Sequence, residues 1–277
     1  MSSNKLKVIA LIAMIFDHIN NFFPSTPLYF RWIGRLSAPL FIFCVVWSFT
    51  YTKSKKHYIF RLYIASVVMS FINWGFSVDN NIFRLLFSLS IVLYLIESCR
   101  NKEKNAKRNI LIYIVWQVII CTIIILIENF MPFNLMILRD INYFIIPSVF
   151  GSIIYLEFGY IFVFLGVVIY LCKNNKKDLI TYYSYFCLFY LWITTSTFIV
   201  YFYKLPFSTY LIEKIMGFST RYIGESMFRV NYQWMMLFAL PFMLAYNHKK
   251  GRNWKYFYYI IYPAHIILFV TLGKIVS

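Results

Sequence analysis

Apolar runs long enough to cross a bilayer recur from one end of this chain to the other, and no other feature narrows its folding so far. A membrane-spanning helix takes about 20 mostly apolar residues. Between polar loops, the runs fall near 6–23, 31–52, 57–75, 82–98, 109–128, 150–172, 180–203, 229–246 and 256–274. Nine such helices would use about 180 residues of the 277, in keeping with a composition that is 61% hydrophobic. Charged residues make up 13%, against roughly 25% in a soluble domain. An ordinary soluble enzyme is excluded, and no stretch between runs is long enough to bury a core of its own. The expectation is an all-α, polytopic integral-membrane helical bundle with about nine transmembrane helices, or eight to ten, forming a single domain over 1–277.

A formal charge of +17 raises the question of nucleic acid, and its distribution answers it. Lys5 and Lys7 precede the first run, Lys53, Lys55 and Lys56 follow the second, and Arg100, Lys102, Lys104, Lys107 and Arg108 follow the fourth. Lys173, Lys176 and Lys177 come later, and then Lys249, Lys250, Arg252 and Lys255. The loops between are near neutral, with Asp79, Arg139 beside Asp140, and a mixed stretch from Lys204 to Glu225. Basic loops are retained in the cytoplasm. Topology therefore accounts for the charge, with the N-terminus inside and, for an odd number of crossings, the C-terminus outside. The partners expected are the lipid bilayer of the plasma membrane, crossed several times, and no nucleic acid.

Pro132, Pro147 and Pro206 interrupt 129–149 and 204–228, which read as interfacial or re-entrant segments. Asp17 and His18 break the first apolar run and no small-residue cleavage site follows, so the run reads as an uncleaved helix rather than a signal peptide. Cys44, Cys99, Cys121, Cys172 and Cys187 show no metal-ligand spacing and read as reduced structural thiols. No metal is expected, and no zinc-protease, P-loop or dinucleotide motif is present.

Ionisable groups at membrane depth are costly and tend to mark a pathway or a site. Those well inside the runs are Asp17, His18, Arg35, Arg84, Glu157 and His265, with Arg31 and Glu128 nearer the outer surface. His18 follows Lys7 by 11 residues, a helical rotation of about 1100 degrees and a rise of roughly 16 Å. Lys7, Leu11, Met14 and His18 thus share one stripe, suited to a long phosphorylated ligand; a snorkelling lysine and a hydrogen-bonded core histidine would leave the same pattern. Asp17 and His18 point about 100 degrees apart, so Asp17 needs a partner from another helix. Arg35 sits at similar depth and is the best candidate, whereas Arg31 reads mostly as a headgroup anchor. His265 follows Tyr262 and Pro263 in the last run, at a depth comparable to His18. Two imidazoles at one level suit proton transfer, in an enzyme or in a proton-coupled transporter. His57 and His248 fall in basic loops and read as solvated.

The opening LKVIALIAMIFDHI resembles the first helix of the TraX family of conjugal-transfer proteins and, more distantly, that of the family-3 membrane acyltransferases. Those acyltransferases carry Arg-x10-His in this helix; here Lys7 and His18 stand at that spacing. RWIGRLSAPLFIFCVVWSFTYTKSKK is similar to the second TraX span, placing Arg31, Gly34, Arg35, Pro39 and Phe41 on family positions. QWMMLFALPFMLAYN, a Gly-Arg pair and KYFYYIIYPAHIILFV resemble the TraX C-terminus, with Gln233, Tyr246, Asn247, Gly251, Arg252, Tyr262, Pro263 and His265 in matching places. The resemblance implies a membrane acetyltransferase that uses acetyl-CoA as acyl donor and acetylates an exported peptide, a pilin N-terminus or a glycan.

On that reading His18 is the general base, Asp17 and Arg35 organise the site, and His265 is a second polar wall or proton relay. Lys7, Lys250 and Arg252 at the basic cytoplasmic mouth attract the anionic nucleotide of acetyl-CoA. A transient acetyl-imidazole is a second route. The alternatives are a proton-coupled transporter or flippase and a non-enzymatic assembly factor for a pilus or secreted peptide.

Overall fold

The computed structural model describes residues 1–23, 25–130, 135–196, 211–218, 224–251 and 254–276. It is 77% helical and, among the described residues, contains no strand. The longer helices are α1 (Ser3–Phe22), α3 (Ser37–Tyr51), α4 (Lys55–Phe76), α5 (Ile82–Arg100), α6 (Ala106–Phe130), α9 (Ile161–Cys172), α10 (Lys176–Thr195) and α12 (Lys255–Val276). Short helices α2 (Tyr29–Gly34), α7 (Met136–Asp140), α8 (Ile146–Val149) and α11 (Leu240–Leu244) lie between them. Among the described residues, five segments are long and apolar enough to cross a membrane: Tyr29–Tyr51, Lys55–Phe76, Ile82–Arg100, Ala106–Phe130 and Tyr256–Ile275. Helix α1 has 20 residues, a spanning length, and carries Lys5, Lys7, Asp17 and His18.

The chain groups into two compact units. The first comprises Met1–Ser48, Val168–Thr209 and Ser219–Ser277. Here α1 packs against α2 and α12, and α10 against a 3-10 helix over Tyr232–Ala239. Hydrocarbon gives helices little hydrophobic reason to associate, so close backbone approach and polar bonds do much of the joining. Gly34 shows the first: a Cβ there would collide with the Asp17 side chain. Tyr183 shows the second, its hydroxyl donating to the Met236 carbonyl at 2.6 Å from α10. The start of α1 is tied to the segment before α12 by backbone bonds from Asn247 N to Met1 O (2.9 Å), Ser3 N to Lys249 O (2.9 Å) and Asn4 N to Lys250 O (3.2 Å).

The second unit comprises Phe49–Val167 and Tyr210–Phe218. Helix α5 is its centre, with Leu85, Leu89 and Leu93 buried and Gly166 of α9 against Leu89. Asn81 caps α5 by accepting from Arg84 N at 3.2 Å, while its amide donates to Ser66 O of α4 at 2.9 Å. Helix α6 leaves Leu111, Ile112 and Val118 exposed, as a lipid-facing helix does.

Three expected runs take other forms. The run at 150–172 is helical only from Ile161. Gly151, Tyr155, Phe158 and Gly159 before it adopt positive φ, which ends a right-handed helix. Their segment pairs its backbone elsewhere, as buried peptide groups must. Gln117 of α6 donates to Gly151 O at 2.8 Å and accepts from Ile153 N at 3.0 Å. Tyr155 N and Tyr160 N donate to Lys214 O (3.1 Å) and Ile215 O (2.7 Å). A Cβ on Gly159 would strike the Met216 carbonyl, so two irregular segments meet backbone to backbone. The run at 229–246 tightens into the 3-10 helix and α11, with Pro241 in the first turn of α11. The run at 180–203 begins earlier, at Lys176, and its last residues lie outside the described ones. Between α7 and α8, Ile141–Ile145 forms a π turn, so 136–149 is broken helix.

Candidate functional site

Helices α1 and α12 bring together the two histidines that share a depth in the sequence. His18 Nδ1 and His265 Nε2 lie 2.6 Å apart, with both residues buried at 4% and 5% exposure. Their rings are nearly parallel, at 14°, with centroids 4.9 Å apart. An atom separation of 2.6 Å is shorter than the roughly 3.5 Å of a face-to-face contact. The imidazoles therefore meet edge to edge, through a hydrogen bond. Phe22, Tyr262 and Phe269 present ring edges around them.

The partners of the pair define its neutral tautomer. His265 Nδ1 lies 2.9 Å from the Ile261 carbonyl oxygen one turn earlier. A carbonyl only accepts, so His265 Nδ1 carries the proton and Nε2 the lone pair. The bond between the rings then requires His18 Nδ1 to donate. That leaves the lone pair of His18 on Nε2, outside the pair and available as a base. His265 orients its neighbour, as a second residue must if an imidazole is to present one nitrogen consistently.

One residue before His18, Asp17 turns to the neighbouring helix. Its carboxylate pairs with Nη2 of Arg35, the residue that caps α2, and lies 3.9 Å from Arg31 Nη1. Arg35 Nη1 donates to Gln233 Oε1 at 2.7 Å, its Nε donates to Arg31 O at 3.2 Å, and its guanidinium sits 5.4 Å from the Tyr232 ring centre. Arg31 donates to Asn20 Oδ1 at 2.7 Å and to Asn21 Oδ1 at 3.1 Å, so it is tied into the same network. Two guanidinium groups face one carboxylate, a local excess of one positive charge beside the histidine pair. Gln233, Asn20 and Gly34 join the site without standing out in the sequence as members of it. An uncharged amide or a glycine within an apolar run carries little signal there, although Gln233 and Gly34 stand on positions of the family resemblance.

The residues expected at a cytoplasmic mouth divide. Lys7 is half-buried, its Nζ 5.7 Å from the centre of the Tyr258 ring, whose hydroxyl donates to Asn4 Oδ1 at 2.8 Å. Lys250 is exposed and engages Asn4 through its backbone. Arg252 lies outside the described residues. In the second unit, Arg84 is fully buried, with Nη2 3.8 Å from Asp79, whose carboxylate also accepts from Tyr143. Glu157, expected in mid-span, lies in the irregular segment before α9. His248, expected as solvated, is exposed but sets its ring against Trp47 at 4.6 Å.

Residues 2–150 match the family model described as TraX protein, and since that is more than half of the chain, the chain belongs to the TraX family. The match takes in Lys7, Asp17, His18, Arg31 and Arg35 and stops before Gln233 and His265. No curated protein and no solved structure matches the chain.

Proposed function

We propose that this TraX-family chain is an integral-membrane acyltransferase that moves an acetyl group from acetyl-CoA to an amine or hydroxyl of a membrane-associated or exported acceptor. The acceptor class is a peptide, a pilin N-terminus or a glycan. The chain would cross the plasma membrane about nine times, with its N-terminus and basic loops in the cytoplasm. The observation that carries this reading is the buried in-plane contact of His18 and His265, which leaves a lone pair on His18 Nε2.

In the transfer, His18 Nε2 removes the proton from the acceptor nitrogen or oxygen as that atom bonds to the thioester carbonyl carbon. The carbon–sulfur bond then breaks, and the proton on His18 passes to the departing thiolate, giving free thiol and acetylated acceptor. A positioned base of this kind contributes roughly 100- to 10,000-fold. While His18 is protonated, its Nδ1–H bond to His265 Nε2 disperses the charge. Arg35 is a positioning residue for Asp17. A guanidinium has five N–H donors and three are engaged, by Arg31 O, Gln233 and Asp17. The other two are available to the oxyanion that develops on the carbonyl oxygen. Lys7, on the α1 stripe about 16 Å nearer the cytoplasm, would attract the donor's phosphates.

Purified full-length protein in lipid nanodiscs, given acetyl-CoA and a peptide amine, should release thiol and add one acetyl group to the peptide by mass spectrometry, and His18→Ala should stop both. A proton-sharing histidine pair would also serve a proton-coupled transporter. Movement of the acceptor across liposomes without any CoA thioester, together with no thiol release, would replace the acyltransferase reading with that one.

A further inference from the structure

Ser37, the first residue of α3, is buried at 5% exposure, and its hydroxyl has no hydrogen-bond partner among the described residues. A serine or threonine inside a helix ordinarily returns its hydroxyl to the carbonyl four residues back. Ser90 does so to Leu86 O at 2.8 Å and Thr271 to Ile267 O at 2.9 Å. Ser37 does not. A hydroxyl unmet away from water is costly, and one that persists in a buried position points to a partner from outside the protein's own side chains.

The direction of Ser37 follows from its neighbours on the same helical path. Arg35 keeps helical backbone angles, φ −62° and ψ −16°, and bonds from Leu36 N to Ile33 O (3.1 Å) and from Leu40 N to Leu36 O (3.3 Å) carry the path into α3. Gly34 faces α1, where the absence of a Cβ leaves room for the Asp17 side chain. Phe43 and Trp47 face the chain leading into α12, with ring centroids 5.6 and 5.3 Å from that of Tyr246. At about 100 degrees per residue, Ser37 and Cys44 fall between these two faces, about 60 and 80 degrees round from Gly34 toward Trp47. Cys44 Sγ accordingly meets Ser3 O of α1 at 3.9 Å. Ser37 thus points into the angle enclosed by α1, α3 and α12. Lys7 enters the same angle beside Tyr258 at one end, and His18 meets His265 at the other.

Depth agrees with direction. Gly34 against Asp17 and Cys44 against Ser3 make α1 and α3 antiparallel, so Ser37 lies opposite the turn of α1 that precedes Asp17. Helical side chains lean toward the N-terminus of their own helix. In an antiparallel pair that lean carries the His18 ring and the Ser37 hydroxyl toward a common level, with Arg35 two residues from Ser37.

We propose that the Ser37 hydroxyl donates a hydrogen bond to the carbonyl oxygen of the acyl thioester and, together with Arg35, receives the oxyanion that develops there. The inference rests on the acyltransferase reading. Ser37 keeps its proton throughout. Negative charge moves onto the carbonyl oxygen as the acceptor atom bonds to carbon, and it leaves again when the carbon–sulfur bond breaks. A donor already stripped of water and already in place has no solvent to shed when that charge appears, which is what an unspent buried hydroxyl offers.

The test uses full-length protein in lipid nanodiscs. Ser37→Ala removes a hydroxyl that has no protein partner, so the unfolding temperature should stay the same or rise. Thiol release at saturating acetyl-CoA should nonetheless fall roughly 100-fold or more, as loss of one oxyanion donor does, with KM little changed. The direct reading is the stretching frequency of an isotope-labelled acetyl carbonyl, taken by difference infrared on acetyl-CoA bound to His18→Ala protein, which lacks the base. That frequency should be lower with Ser37 present than in the His18→Ala/Ser37→Ala double variant. Unchanged rate and unchanged carbonyl frequency would overturn the inference and leave the acyltransferase reading standing. A lowered unfolding temperature with the same carbonyl frequency would make Ser37 a packing residue and overturn it equally. Acetyl found on Ser37 in protein quenched during turnover would make it a nucleophile and overturn its role as donor. A carbonyl shift that depends on Ser37, in protein that releases no thiol even unsubstituted, would uphold the contact and remove the acyltransferase reading. Neither binding nor thiol release by the unsubstituted protein would remove both.

Discussion

Replacing His265 separates the two histidines by role. His265→Ala removes the acceptor for His18 Nδ1–H within a contact that is 4–5% exposed. A buried donor left without its acceptor costs about 1–3 kcal/mol, and the tautomer with its proton on Nε2, useless as a base, becomes accessible. If that cost falls on the reactive arrangement, kcat drops roughly 5- to 150-fold. His18→Ala removes the base and should cost roughly 100- to 10,000-fold. The double variant should be no slower than His18→Ala alone, because His265 acts through His18. His265→Gln keeps an acceptor near the position of Nε2 and should recover much of the loss, whereas His265→Asn places its amide near Nδ1 and should not. Turnover of acetyl-CoA by purified full-length variants reads all of these. A dead His265→Ala beside an active His18→Ala would reverse the tautomer assignment and make His265 the base. Strictly multiplicative losses in the double variant would refute the coupling.

Four further outcomes follow from the packing and the loop charge. Arg35→Met leaves Asp17 without its principal partner at 15% side-chain exposure and should lower stability by about 3 kcal/mol; adding Asp17→Asn should restore part of it, as read by thermal unfolding in detergent. Gly34→Ala drives a Cβ into the Asp17 side chain and should cost about 1–3 kcal/mol together with activity. Gly75→Ala, with no atom within 4 Å of its new Cβ, should be neutral or stabilising by up to about 1 kcal/mol. Cysteines introduced at Lys176 and Lys250 should both be labelled from the cytoplasmic face; labelling from opposite faces would contradict the topology.

Several parts of this site are legible in the order of the residues alone. Adjacent residues on a helix diverge by about 100 degrees, so Asp17 cannot orient His18 and has to look to another helix, where the fold places Arg35. The common depth of His18 and His265 is likewise a matter of counting residues from loops. Hydropathy is blind to what Gln117 does, because its value lies in pairing the backbone of an irregular segment that residue averages score as apolar. It is equally blind to the turn from Gly151 to Gly159, since positive φ at Tyr155 and Phe158 leaves no trace in apolar content.

Helix length, polarity and loop charge are properties each residue contributes on its own, summed over a run and weighed against the thickness of a bilayer. Amino-acid order is therefore enough to establish a chain of membrane helices with costly ionisable groups inside them. Which histidine donates within the pair, why residue 34 lacks a side chain, and how the Trp47 ring comes to meet His248 are settled only by packing. Each depends on a separation of a few ångströms between residues as far apart in sequence as 18 and 265. Hydrogen bonds and steric contacts act over those few ångströms, so such relations exist only once the helices have come together.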